Sequence, residues 1–145
     1  MPQRKEWLAA IGGLVLLGVA CLIPAQNSAP NPAPNPGVQR TDVTSGDISV
    51  PGREAVMVHV VLAPGTAVGW HTHPGEEITY VSDGAITLML AGQAPRRVAA
   101  GEGVIIPMGT VHNARNDGTV PAKLVVVYVV EKGKPIRTAV PQPGG

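Results

Sequence analysis

From about Arg40 onward, short runs rich in valine and isoleucine are separated by Gly- and Pro-containing turns, and no sustained helical period appears. Asp47–Val50 reads as a short strand closed by Pro51-Gly52, a pair suited to a turn with Gly at positive φ. Ala55–Leu62 follows, ended by Pro64-Gly65. Val68–His73 and Ile78–Val81 come next, with Ser82-Asp83-Gly84 as a turn. Ala85–Leu90 and Arg96–Ala99 read as a hairpin around Ala91-Gly92-Gln93, and Val104–Pro107 as a further strand. Leu124–Val130 is apolar at both parities. That pattern fits a strand covered on both sides, or a surface for a second copy of the chain in a homodimer. After Glu131 the Pro- and Gly-containing tail has little capacity to form a core. The pattern is all-β.

A different pattern occupies the amino terminus. Arg4 and Lys5 precede an apolar run, Trp7–Ile23, and Ala25 offers a small-residue exit. These are the three regions of a secretory signal peptide, expected over residues 1–25, with a periplasmic or secreted product. A run of this length is also borderline for an uncleaved membrane anchor. Gly18-Val-Ala-Cys21 is similar to a bacterial lipoprotein box, although Gly18 stands where a large aliphatic residue is usual. Membrane contact is therefore expected only through an uncleaved or lipidated amino terminus. Residues 26–38 carry alternating prolines, which fix φ, remove donors and favour an extended, solvated linker. A domain over 39–133 and a flexible tail over 134–145 complete the expected organisation.

Composition narrows the function classes. The chain has 145 residues, enough for one domain with a real core, and a single cysteine, so no intrachain disulfide forms. Without residues 1–25 its basic and acidic residues balance. There is no cationic excess to neutralise phosphates, which argues against a nucleic-acid partner. No Gly-rich phosphate loop precedes a helix, and a serine-hydrolase reading has no support.

The chemistry concentrates between Gly65 and Asn116. Three of the four histidines lie there, with Glu77 following His71-Thr-His73 after a Pro74-Gly75 turn. Two residues apart on a strand, His71 and His73 leave the same face. Imidazole nitrogens and a carboxylate oxygen are usual ligands of a divalent transition metal, so His71, His73, Glu77 and His112 are the expected ligand set. Glu76 is the alternative carboxylate. Thr79 and Val81 share the parity of Glu77 and should line the inner wall; Trp70, Thr72 and Tyr80 should face away. His59 reads as a partly buried structural histidine, with a role behind the ligands as the alternative. Arg96 and Arg97 read as solvated, with a substrate contact as the alternative.

These residues resemble both motifs of the cupin superfamily. Gly65, His71, His73, Glu77 and Gly84 fill the first motif, and Gly101, Pro107, Gly109, His112 and Asn116 the second. The resemblance covers about Gln39 to about Gly133. It implies a single jelly-roll-like β-barrel with one metal inside, which Fe, Mn, Ni, Cu or Zn would suit. A further similarity, to metal-dependent cupin dioxygenases including the quercetinase-like group, implies oxygenation of a small enol or phenol. Glu77 would then be a ligand that also accepts a substrate proton. The competing expectations are a non-catalytic cupin that binds a small ligand or a metal, and a metal-dependent isomerase. A fold of this kind hosts many chemistries, so the site must decide among them.

Overall fold

In the computed structural model, residues 35–144 are described. The expected signal peptide, the lipoprotein-like Cys21 and most of the Pro-rich linker lie outside them. Ten strands follow in order: β1 (Val38–Asp47), β2 (Arg53–Leu62), β3 (His71–Thr72), β4 (Gly75–Asp83), β5 (Ala85–Leu90), β6 (Arg96–Ala99), β7 (Gly103–Ile106), β8 (His112–Arg115), β9 (Ala122–Glu131) and β10 (Thr138–Ala139). They form two five-stranded antiparallel sheets, β1-β2-β9-β4-β7 and β10-β3-β8-β5-β6. This is the all-β, jelly-roll-like arrangement expected.

Alternation along the strands builds the core between the sheets. Val56, Val58, Val60 and Leu62 of β2 point inward, as do Leu124 and Val126 of β9. Ile86, Leu88 and Val98 meet them from the second sheet. The chain has no phenylalanine, and branched aliphatics fill this interior instead. β9 lies between β2 and β4, so both its edges are paired. One face of β9 packs into the core, whereas Val125, Val127 and Val129 on its other face are only half-buried. Gly75 permits close approach there: a Cβ at this position would collide with the Val129 carbonyl oxygen.

Several sequence expectations are corrected. Asp47–Val50 is not a strand: Asp47 ends β1, and Ile48–Gly52 form the connection to β2. The first strand lies earlier, at Val38–Asp47, where polar residues hid it because this edge strand is exposed along almost its whole length. Strand β3 contains only His71 and Thr72; Ala67 makes an isolated bridge to Arg115. His59 is exposed on the outer face of β2, opposite Thr41 and Val125, and takes neither role expected of it. The residues after Glu131 do not end as a free tail, because β10 pairs with β3. At the other end, Asn35 Nδ2 donates to Ala67 O at 2.7 Å, so the end of the expected linker also touches the domain.

Candidate metal centre

The four expected donors converge. His71, His73, Glu77 and His112 are all buried, and one donor atom from each lies within 4.8 Å of the others. β3 and β8 bring His71 directly opposite His112 in the ladder, with ring centroids 4.2 Å apart. His73 lies just beyond β3, with its centroid 4.8 Å from that of His71. β4 presents Glu77 from the facing sheet. Thr79 and Val81 are buried on the same side of β4, as their parity predicted. Tyr80 faces outward as expected, but it lies exposed rather than packed.

Each imidazole is oriented by a backbone carbonyl. His71 Nδ1–H donates to Gly69 O at 2.6 Å, His73 Nδ1–H to Ile136 O at 2.5 Å, and His112 Nδ1–H to Thr110 O at 2.8 Å. A carbonyl can only accept, so these contacts fix the proton on Nδ1 and leave Nε2 as the free lone pair. This is the support that metal-binding histidines ordinarily receive. Asn113 adds a further layer: its Oδ1 accepts from Gly69 N at 2.9 Å, holding the residue whose carbonyl orients His71. Gly69 itself has φ +94°, a conformation side-chain-bearing residues rarely adopt.

The carboxylate is held as firmly. Thr79 Oγ1 donates to Glu77 Oε1 at 2.6 Å, while Oε2 lies 2.8 Å from His73 Nε2 and 3.3 Å from His112 Nε2. Burial alone would raise the Glu77 pKa, but the His112 and His73 imidazoles beside Oε2 and the Thr79 hydroxyl donating to Oε1 outweigh it and hold the carboxyl well below its usual range. Burial, aided by the neighbouring His112, pushes the His71 imidazole down to about 3, so it stays neutral and able to ligate.

The donor set fits a cation. His73 Nε2 is buried and has no hydrogen-bond partner, although a carboxylate oxygen is 2.8 Å away. With Nδ1 protonated, that pair sets one lone pair against another. A divalent ion among three Nε2 atoms and one carboxylate oxygen satisfies all four groups at once.

Sequence reasoning missed three contributors. Tyr128 of β9 packs its ring against His73, with centroids 4.7 Å apart, and burial pushes its hydroxyl pKa well up, keeping it a neutral donor. A phenol at the inward parity of a valine run was the available signal. Ile136 acts through its carbonyl and Arg137 through contacts to Val68 O and Gly69 O, and neither has a motif signature. Glu76 lies on the opposite face of β4 from Glu77 and pairs with Arg53 at 3.2 Å. It is excluded from this ligand set. Arg96 and Arg97 are both exposed on β6.

Comparison with known proteins agrees with this geometry. Residues 58–128 match the family described as "Cupin domain". Protein SchB of Streptomyces halstedii is 39% identical over 66 residues, covering 45% of this chain and 47% of that protein. Tetracenomycin polyketide synthase protein TcmJ of Streptomyces glaucescens is 31% identical over 78 residues, covering 53% and 52%. The chain thus matches about half the length of these curated relatives. An oxalate oxidase solved in complex with the substrate analogue glycolate superimposes with TM-score 0.59 at 26% identity, over 79% of this chain and 61% of that one. The double-sheet barrel, the two filled motifs and the family match together show that residues 58–128 of this chain belong to a cupin domain.

Proposed function

We propose that the protein is an exported cupin that holds one divalent transition metal on His71, His73, Glu77 and His112, and uses it in dioxygenase-like oxidation of a small enol or phenol. One observation carries the metal reading: three carbonyl-oriented imidazoles and a carboxylate aim unprotonated atoms at a common point. Such an ion would supply Lewis acidity and, if redox-active, a meeting place for an oxygen-bearing chelator and dioxygen. The chain's own residues provide the surroundings. Tyr128 packs a neutral phenol ring against His73, and Thr79 fixes the Glu77 carboxylate. The similar proteins lend support to the chemistry, one being an oxalate oxidase solved with the substrate analogue glycolate and another a polyketide synthase protein.

The test is metal analysis of protein from its native compartment, followed by oxygen uptake across a panel of small enols and phenols. Uptake proportional to bound metal is expected. Full occupancy without uptake or product assigns the protein to the binding class. A specific observation favours that second reading: both Glu77 oxygens are engaged and its proton affinity is lowered, which weakens Glu77 as a base. Export is tested separately. Amino-terminal sequencing of periplasmic or secreted material should begin after about Ala25; an intact Met1 indicates an anchor, and a lipidated Cys21 a lipoprotein.

A further inference from the structure

The short strand carrying His71 is flanked on one edge by β8 and on the other by β10. Residues 136–140 contact the segment 68–73 at nearly every step. Ile136 O accepts from His73 Nδ1–H. Arg137 Nη2 donates to Val68 O at 3.1 Å and reaches Gly69 O at 3.5 Å. Thr138 pairs with Thr72, Ala139 with His71, and Val140 N–H donates to Trp70 O at 3.0 Å.

We propose that Ile136–Val140 is a strap that sets the donor geometry of His71 and His73, with Arg137 as its positioning side chain. The proposal rests on the metal reading above. Gly69 O is the shared point: it receives the His71 Nδ1–H and the Arg137 guanidinium together. Moving Arg137 therefore takes one restraint from the carbonyl that fixes the His71 ring, and lifting Ile136 removes the carbonyl that orients His73 Nδ1. Arg137 is half-buried, and its Nε is buried without an acceptor. Leaving a guanidinium donor so desolvated is costly, and the two carbonyl contacts are the offset on view.

The strap itself is weakly held. β10 is two residues long, both exposed, and Lys132–Pro135 before it are exposed as well. Its docking is therefore a local equilibrium, distinct from unfolding of the barrel. If the docked strap favours metal, then metal must favour the docked strap by the same factor.

That reciprocity supplies the experiment. Apo full-length protein is titrated with Zn²⁺ against a chromophoric chelator, and amide hydrogen exchange is followed at Val140 with and without Zn²⁺. Arg137→Ala should bind Zn²⁺ about 10- to 100-fold more weakly, the usual cost of removing a group that orients a metal-bound histidine. Arg137→Lys should recover part of the loss, since an ammonium can reach one of the two carbonyls. Ile136→Ala keeps the carbonyl but loses its side-chain anchor, and should weaken binding less. In the unmodified protein, Zn²⁺ should slow exchange at Val140. Unchanged Val140 exchange on adding Zn²⁺ overturns the proposal, as does affinity within about twofold of the parent for both Arg137→Ala and Ile136→Ala. His112→Ala separates the two readings. Zn²⁺ binding that needs His112 but ignores the strap sinks the strap alone; no binding, or binding indifferent to His112, sinks both.

Discussion

The two faces of β4 carry the same kinds of residue and put them to different uses. Inward, Glu77 and Thr79 are buried, hydrogen-bonded to each other and aimed at three imidazoles. Outward, Glu76 pairs with Arg53, and Ile78 and Tyr80 are 42% and 48% exposed. Adjacent glutamates thus differ in everything but composition. Glu76 shares its charge with water and one arginine, an interaction worth at most about 1 kcal/mol. Glu77 is desolvated, and its charge must be balanced by groups inside the barrel. Pleat parity, set by the pairing of β4 with β9 and β7, decides which carboxylate can serve as a ligand.

The sharpest way to break this contrast is to remove an inward donor. His112→Ala deletes one ligand of four, and metal content by elemental analysis should fall to background under conditions that saturate the parent. Glu76→Ala on the outer face should leave it unchanged. Equal metal content in His112→Ala and the parent would end the assignment. Glu77→Gln is the next test. An amide keeps the shape and one oxygen donor but loses charge and proton affinity. If Glu77 takes a substrate proton, activity per bound metal should drop by about 10²- to 10⁴-fold; equal activity per bound metal reduces Glu77 to a ligand.

Acid should also act through the inner face. His71 in the folded apo protein titrates at about 3, below its unfolded value, so the unfolded chain takes up the proton first. Stability therefore falls as pH drops from about 6.5, and this group alone contributes roughly 2 to 3 kcal/mol of loss by pH 4.5 at about 1.4 kcal/mol per unit. Glu77, also lowered, adds to the loss only as pH falls below the unfolded carboxylate value. Urea unfolding of apo protein at pH 7 and pH 4.5 measures the difference; equal stabilities would contradict the buried, neutral state of His71. A smaller effect is expected from Thr79→Val, which removes the donor to Glu77 Oε1 at nearly constant volume. A hydrogen bond to a charged group is worth about 1.5–3 kcal/mol, so metal affinity should weaken by about tenfold or more.

The ligand set was legible in sequence because side-chain donors leave a spacing: His71 and His73 two apart, Glu77 beyond a Pro-Gly turn, His112 within a second motif. The hairpin Ala85–Leu90/Arg96–Ala99 was legible for a similar reason, since Gly92 marks its turn. What stayed hidden works through the backbone or lacks a period. Strand β1 is polar because its position at the sheet edge leaves little to bury. The carbonyls of Gly69, Thr110 and Ile136 orient all three rings, yet every residue has a carbonyl. β10 is too short to show alternation, and only pairing with β3 makes it a strand. Tyr128 was visible in the sequence but was absorbed into an apolar run.

The smallest effect on the metal should come from the outer face, where the same contrast can be sharpened. Met57, Val127, Ile78 and Ile105 stand side by side across β2, β9, β4 and β7, because their ladder registers align them in one row. Ile105 is 70% exposed. We propose this row as the surface where a second copy of the chain packs, in line with the homodimer expected from the apolar character of β9. Ile105→Lys places a charge in the row without touching the barrel interior, and surface changes of this kind usually alter stability by no more than about 0.5 kcal/mol. Zn²⁺ affinity and the apo melting temperature should therefore match the parent, while the mass measured by light scattering should fall from dimer to monomer. A parent that is monomeric, or a dimer unaffected by Ile105→Lys, removes the row from the interface. A loss of Zn²⁺ affinity would show that the two faces of β4 are coupled, contrary to the separation that their parity implies.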